Sequence, residues 1–166
     1  MLLKILLCFC LFQMVQSGGW IKIAFNKCVG ARYNHYREFT YRGSSMFITA
    51  MKLVHRNGWI GCSPGSYTRW GCSIAGNYET NMIVTDTRNI VMYPSPTLVT
   101  LRTGGWYDLA GYYRNSPKLV FSDPGLRYLY RGQKIRIWYG EDLFNYRESN
   151  NHGFTCMDVY VYKSDC

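Results

Sequence analysis

The chain lacks every familiar catalytic signature. Neither HExxH nor GxSxG occurs, and His35, His55 and His152 have no partner at a recognisable spacing. The usual zinc-hydrolase and serine-hydrolase arrangements are therefore excluded. Carboxylates such as Glu141 and Asp158 could be paired as in a glycosidase, but their places in the sequence give no spatial separation to test. No CxxC or paired Cys/His spacing suggests a zinc site. Asn-x-Ser/Thr sequons are missing, since Asn115-Ser116 runs into Pro117. Helical periodicity, linkers and nucleic-acid motifs are also missing, and no apolar run is long enough to span a bilayer as a helix. These absences predict a protein that is not an enzyme, needs no cofactor or metal, has no membrane span and does not bind nucleic acid.

Acid is scarce. Ten Asp and Glu face nineteen Lys and Arg, a net charge of +9. Such a balance suits a polyanionic partner such as a sulfated glycan or another acidic extracellular surface. Residues 1–17 carry Lys4, an apolar run from Ile5 to Val15 and a small-residue exit at Ser17, the pattern of a secretory signal peptide. The expected product is one secreted, extracellular domain over residues 18–166, long enough for a single core. Five cysteines would remain in it: Cys28, Cys62, Cys72, Cys156 and Cys166. In an oxidising compartment they read as disulfide formers. Cys62 and Cys72 flank a Gly-Pro-Ser turn region and are expected to bridge locally. Cys28 with Cys156 would tie the first strand to the last, leaving Cys166 unpaired and available for a disulfide-linked homodimer.

Short alternating or β-branched runs recur between Gly, Pro and Asn breaks. Strands are expected at 20–25, 46–54, 82–86, 89–93, 97–101, 118–121, 126–131, 134–139 and 156–162, with 57–77 as a stapled loop region. About eight strands in antiparallel array suit a disulfide-stapled β-sandwich or jelly roll. The clearest element is LRYLYRGQKIRIWY, residues 126–139, which reads as a β-hairpin about a Gly132-Gln133 loop. Its pairing would place Leu126, Tyr128, Tyr130, Ile135, Ile137 and Tyr139 on one face. The other face would pair Arg131 with Lys134, Leu129 with Arg136 and Arg127 with Trp138, four cations around a Trp. Arg131 opposite Lys134 is a like-charge pair that an anion would relieve. These five residues are the expected ligand-binding set, four supplying charge and Trp138 a stacking face.

Trp106, Tyr107 and Tyr112 follow Gly104-Gly105 and form a candidate aromatic loop. Seven Tyr residues adjoin an Arg, and the cluster RYNHYREFTYR at 32–42 has no clean alternation and reads as a loop. Glu141, Asp142, Glu148, Asn150, Asn151 and Gly153, and finally Asp158 on the last strand, offer oxygen ligands of the kind calcium takes, but not at EF-hand spacing. Neutralisation of Arg127, Arg136 or Arg147 is the simpler role for those acids.

The run Arg136–Leu143, followed by Asn151, Gly153, Cys156, Asp158, Val159 and Tyr160, resembles the closing segment of uncharacterised secreted cysteine-bridged β-sandwich domains of aquatic invertebrates. It covers about a sixth of the chain. The resemblance implies an extracellular module with a bridged final strand. The leading expectation is a non-enzymatic secreted module that binds an anionic glycan or other extracellular polyanion through the basic hairpin face. One alternative is a structural matrix or assembly protein using Tyr/Arg-rich surfaces and the odd cysteine. Another is a secreted defence or toxin-like factor.

Overall fold

Alternating burial along the long strands organises the molecule. The computed structural model describes residues 18–73, 79–99 and 104–165, apart from the side chains of Asp123 and Pro124. The expected signal segment and Cys166 lie outside the described residues. Ten strands run β1 (Trp20–Gly30), β2 (Arg37–Thr40), β3 (Met46–Gly61), β4 (Glu79–Thr80), β5 (Met82–Thr85), β6 (Val91–Tyr93), β7 (Tyr107–Asp108), β8 (Lys118–Leu129), β9 (Lys134–Tyr139) and β10 (His152–Lys163). One helical turn, α1 (Gly140–Leu143), follows β9. The fold is all-β.

One four-stranded sheet has the order β1-β10-β3-β8 and a second the order β2-β9-β5-β6, while β4 and β7 form a two-stranded ribbon. All neighbours pair antiparallel. Between the sheets pack Met157, Val159 and Val161 of β10, Leu119 and Phe121 of β8, and Ile135 and Ile137 of β9. In β3 the large side chains that point into the core are Ile48, then Met51 and Leu53, then Ile60. The inward parity changes twice, and each change follows a register shift, between Ile48 and Ala50 against β8 and at Cys156/Met157 of the facing β10. An extra residue in one strand moves the following side chains to the other face, which lets a sixteen-residue strand keep its apolar residues inward as the sheet coils. Strand β5 is buried on both faces, with Met82, Ile83, Val84 and Thr85 all at 0 % exposure.

The bridges are Cys28–Cys156, joining paired residues of β1 and β10, and Cys62–Cys72, closing the loop after β3. Three sequence expectations need correction. Strand β3 runs on through residues 57–61, expected as the start of the stapled loop, because they pair with β10. Residues 96–98 form a 3-10 turn led by Pro96, where a strand was expected; the fixed φ of proline suits the first turn of a helix. The segment 32–42, expected as a loop, contains β2, with Phe39 and Tyr41 buried.

The larger correction concerns the hairpin. Strand β8 pairs with β3 in the first sheet, while β9 pairs with β2 and β5 in the second. A tight turn forms one residue earlier than expected: its central residues are Arg131 and Gly132, the Gln133 N–H donates to the Tyr130 carbonyl at 3.1 Å, and Gly132 takes φ +91° at the second central position. It carries the chain from one sheet to the other instead of back along the same sheet. Tyr41 clamps it, accepting from the Gly132 N–H and donating to the Gln133 carbonyl, each at 2.8 Å. In this arrangement Leu129 faces the core, and Leu126, Tyr128 and Tyr130 are about half exposed, the reverse of the expected faces.

Candidate functional site

Because β8 and β9 lie in different sheets, the five hairpin residues do not share a surface. Trp138 is only 2 % exposed, donates its indole N–H to Thr85 Oγ1 at 3.2 Å and packs on Tyr36 with centroids 4.2 Å apart. It is a core residue, since β5 and the Tyr36 segment cover its face, and it offers no stacking platform. Glu38, the one acid in the 32–42 segment, pairs with Lys134 at 3.0 Å and Arg136 at 2.9 Å across the β2–β9 ladder. The two cations hold its carboxyl below the usual range. Arg127 on β8 lies over the Tyr93 ring. Arg131 sits in the turn, its backbone N–H donating to Ser45 Oγ, and it has no cross-strand pairing with Lys134. Glu38 therefore supplies the internal anion that sequence reasoning assigned to Glu141 and Asp142.

The aromatic loop also turns inward. Tyr107 is buried, its hydroxyl donating to the Met82 carbonyl, and Tyr112 and Trp106 pack against the core. Trp106 has a further role: its indole N–H donates to Glu141 Oε1 at 3.1 Å. Two segments that the sequence treats separately thus meet at α1.

The turn α1 is held by Asn81, which links three pieces of chain. Its side-chain carbonyl accepts from the Glu141 N–H, its amide donates to the Gly104 carbonyl, and its backbone carbonyl accepts from the Gly140 N–H. A Cβ at Gly140 would come within 2.8 Å of the Gly104 carbonyl oxygen, so only glycine permits this approach. The clamp points Glu141 and Asp142 into the protein, where they are 5 % and 0 % exposed. Asp142 accepts from the Asn34 N–H at 2.8 Å, and Glu148 from the Tyr33 N–H at 3.3 Å. Asn151 donates its amide to the Ala31 carbonyl and its N–H to the Glu148 carbonyl.

What remains is a set of buried oxygens that accept no well-formed hydrogen bond, Glu141 Oε2, Asp142 Oδ2 and Asn151 Oδ1, with the Asn151 side chain close to Glu141 and that of Glu148 close to Asp142. Burial raises the Glu141 carboxyl, partly offset by the Trp106 and Asn151 side chains and by Arg147. Burial together with neighbouring Glu148 pushes Asp142 up to about 6, against the N–H donors of Asn34 and His35. Of the three arginines expected to be neutralised by these acids, only Arg147 acts on either. Buried acceptors without donors are costly, and oxygen-only donors are the chemistry of a hard divalent cation or of sugar hydroxyls. Among the described residues, no three His, Cys, Asp or Glu side chains are placed to hold a metal ion by themselves. A cation here would draw on the Asn151 amide oxygen and on ligand or solvent oxygens.

An open groove of about 420 Å³ runs beside Asn34, whose backbone holds Asp142. It is lined by Gly30, His35, Tyr36, Arg37, Gly153 and Phe154, among others. Sequence reasoning identified Glu141, Asp142, Glu148 and Asn151 as oxygen ligands but missed Asn34 and Asn81. Their roles depend on backbone proximity across more than a hundred residues in one case and sixty in the other, and no local pattern signals it.

No protein-family model matches the chain, and no curated protein does. Among solved structures it matches AJLec from the sea anemone Anthopleura japonica with a TM-score of 0.79 and 33 % identity, over 89 % of this chain and 98 % of that one. A sea anemone is an aquatic invertebrate, as the resemblance of the closing segment implies. With a third of its residues shared over nearly the whole length of that protein, the chain belongs to the same family as AJLec.

Proposed function

We propose that the protein is a secreted, non-enzymatic, lectin-like glycan-binding protein whose binding site is the oxygen cluster of Glu141, Asp142, Glu148 and Asn151. The family membership and the name AJLec support the lectin-like reading. The observation that carries the site is the trio of buried oxygens on Glu141, Asp142 and Asn151 that accept no well-formed hydrogen bond. Those atoms accept from the hydroxyls of a neutral sugar, or bind a divalent cation whose coordination the sugar hydroxyls complete. The groove beside Asn34 falls within the size range of small-ligand sites. This reading replaces the hairpin face, whose Lys134 and Arg136 share the Glu38 carboxylate and whose Trp138 is buried.

A glycan array on the mature chain, run with and without a chelator, tests the proposal. Neutral glycans are expected to bind, and Asp142→Asn together with Glu141→Gln is expected to reduce that binding at least tenfold while circular dichroism stays unchanged. Loss on chelation assigns the oxygens to a cation, and binding that survives chelation assigns them to direct hydroxyl contacts. Unchanged glycan binding in the double variant would place the site elsewhere.

A further inference from the structure

The outer face of the β1-β10-β3-β8 sheet carries a cluster that the oxygen site does not use. Lys22 of β1, Tyr160 of β10 and Lys52 of β3 stand in register across three strands. One step along, Trp20 pairs with Tyr162, and Lys118 of β8 lies opposite Val54, diagonal to Lys52. The Lys52 ammonium sits 4.1 Å over the Trp20 ring and 4.6 Å over Tyr160. That of Lys22 lies 5.3 Å over Tyr160, while Phe25, 60 % exposed, has Lys22 at 5.4 Å and Arg56 at 5.5 Å. The rings fix where the cations stand, and the face presents positive groups seated on aromatic surface.

Among the described side chains, negative charge on this face is nearly confined to one buried group. Asp158, its side chain 1 % exposed, takes Lys22 at 2.9 Å and Arg56 at a looser 3.9 Å. Asp165 lies at the rim beside Gly18. No carboxylate of a described residue pairs with Lys52 or Lys118. Burial, and then the charge of Lys118, push the Lys52 ammonium below its ordinary value. Like charges held together with no anion between them are relieved by one from outside.

We propose that this sheet face is a second binding surface, separate from the oxygen cluster, for a sulfated polysaccharide chain. Four strands at about 4.8 Å spacing give a broad, shallow surface on which an extended polymer can lie, its repeated anions meeting Lys52, Lys118 and Arg56. The Trp20 and Tyr160 rings lie beneath the Lys52 ammonium, and the exposed Phe25 is flanked by Lys22 and Arg56, so the face is more cationic than apolar, which favours a soluble polyanion over a bilayer. The inference does not depend on the oxygen cluster being the site for neutral sugars.

Retention of the mature chain on sulfated dextran over a salt gradient tests it. Lys52→Ser with Lys118→Ser is expected to elute at lower salt and to lower the slope of log affinity against log salt by roughly one to two, one increment for each lost ion contact. Arg131→Ser with Lys134→Ser removes the same charge at the inter-sheet turn and is expected to elute close to wild type. Equal shifts in both variants would mean that net charge alone governs retention and would overturn the proposal. So would capture by phosphatidylserine vesicles without retention on the polymer, or a wild-type dimer that the Lys52/Lys118 variant loses. In the unmodified protein, bound sulfated dextran should slow acylation of Lys52 at least threefold, and no protection would also count against the face. Asp142→Asn should leave polymer retention unchanged, so that failure of the neutral-sugar site and failure of this surface remain distinguishable.

Discussion

At the scale of single residues, an internal anion decides what a nearby cation can do. Lys134 and Arg136 read as ligand-binding charges until Glu38 is placed between them, while the acids thought to neutralise them lie buried without such partners. Asp142 makes the cost measurable. Burial and Glu148 raise its folded pKa to about 6, from an ordinary value of 3.8. A carboxyl with a raised folded pKa contributes stability that is fully present below the unfolded pKa, near 4, and is lost as the pH climbs through the folded value, near 6. Asp142→Asn keeps an oxygen to accept the Asn34 N–H and removes the buried charge. The variant is expected to melt a few °C higher than wild type at pH 7 and to match it at pH 4. Thermal unfolding at the two pH values, in chelator so that no cation offsets the charge, checks this. A variant less stable at pH 7 would show that the carboxylate is compensated within the protein.

At the scale of elements, the strands were largely legible and their partners were not. Burial and β-branching in VMY, KIRIWY and CMDVYVY mark β6, β9 and β10 locally, because a half-buried strand repeats every second residue whichever strand lies beside it. That a tight turn stands at Gly132 was legible for the same local reason, although its central residues are Arg131 and Gly132 and not Gly132 and Gln133. Whether a tight turn returns the chain along one sheet or sends it across to the other depends on what else pairs with each arm, here β3 for β8 and β2 with β5 for β9. That information is non-local, and missing it scattered the whole expected binding face. The oxygen cluster was half legible, since its acids lie close in sequence, while Asn81 and Asn34 reach it only through the fold. The turn also has its own energetic requirement. A Cβ at Gly132 would meet nothing within 4 Å, so its φ of +91° is the only obstacle to substitution. Gly132→Ala is therefore expected to cost about 1–2 kcal/mol from left-handed backbone strain alone. Urea denaturation measures it, and a cost near zero would mean the turn relaxes to negative φ without loss.

At the scale of the whole molecule, neither disulfide among the described residues joins the two sheets. Cys28–Cys156 lies within one sheet, between paired residues of adjacent strands, and Cys62–Cys72 closes a local loop. The sheets are held face to face by the shared apolar core, and the bridges act mainly on the unfolded chain. Their sequence separations are 128 and 10 residues. The loop-closure relation then gives the long bridge about 5 kcal/mol and the short one about 3 kcal/mol. All four strands of the β2-β9-β5-β6 sheet lie between Cys28 and Cys156, so the long bridge restricts that entire sheet when the protein unfolds. Together the two contributions approach the whole net stability of a typical domain, on the order of 5–15 kcal/mol. Cys28→Ser with Cys156→Ser is expected to lose more stability in urea than Cys62→Ser with Cys72→Ser, by about 2 kcal/mol, and full reduction should leave the chain marginal at 37 °C. The reverse order would assign the short bridge a native-state role, for which Cys72 has the contacts: it is fully buried, and its sulfur accepts from the Ser66 hydroxyl at 3.3 Å.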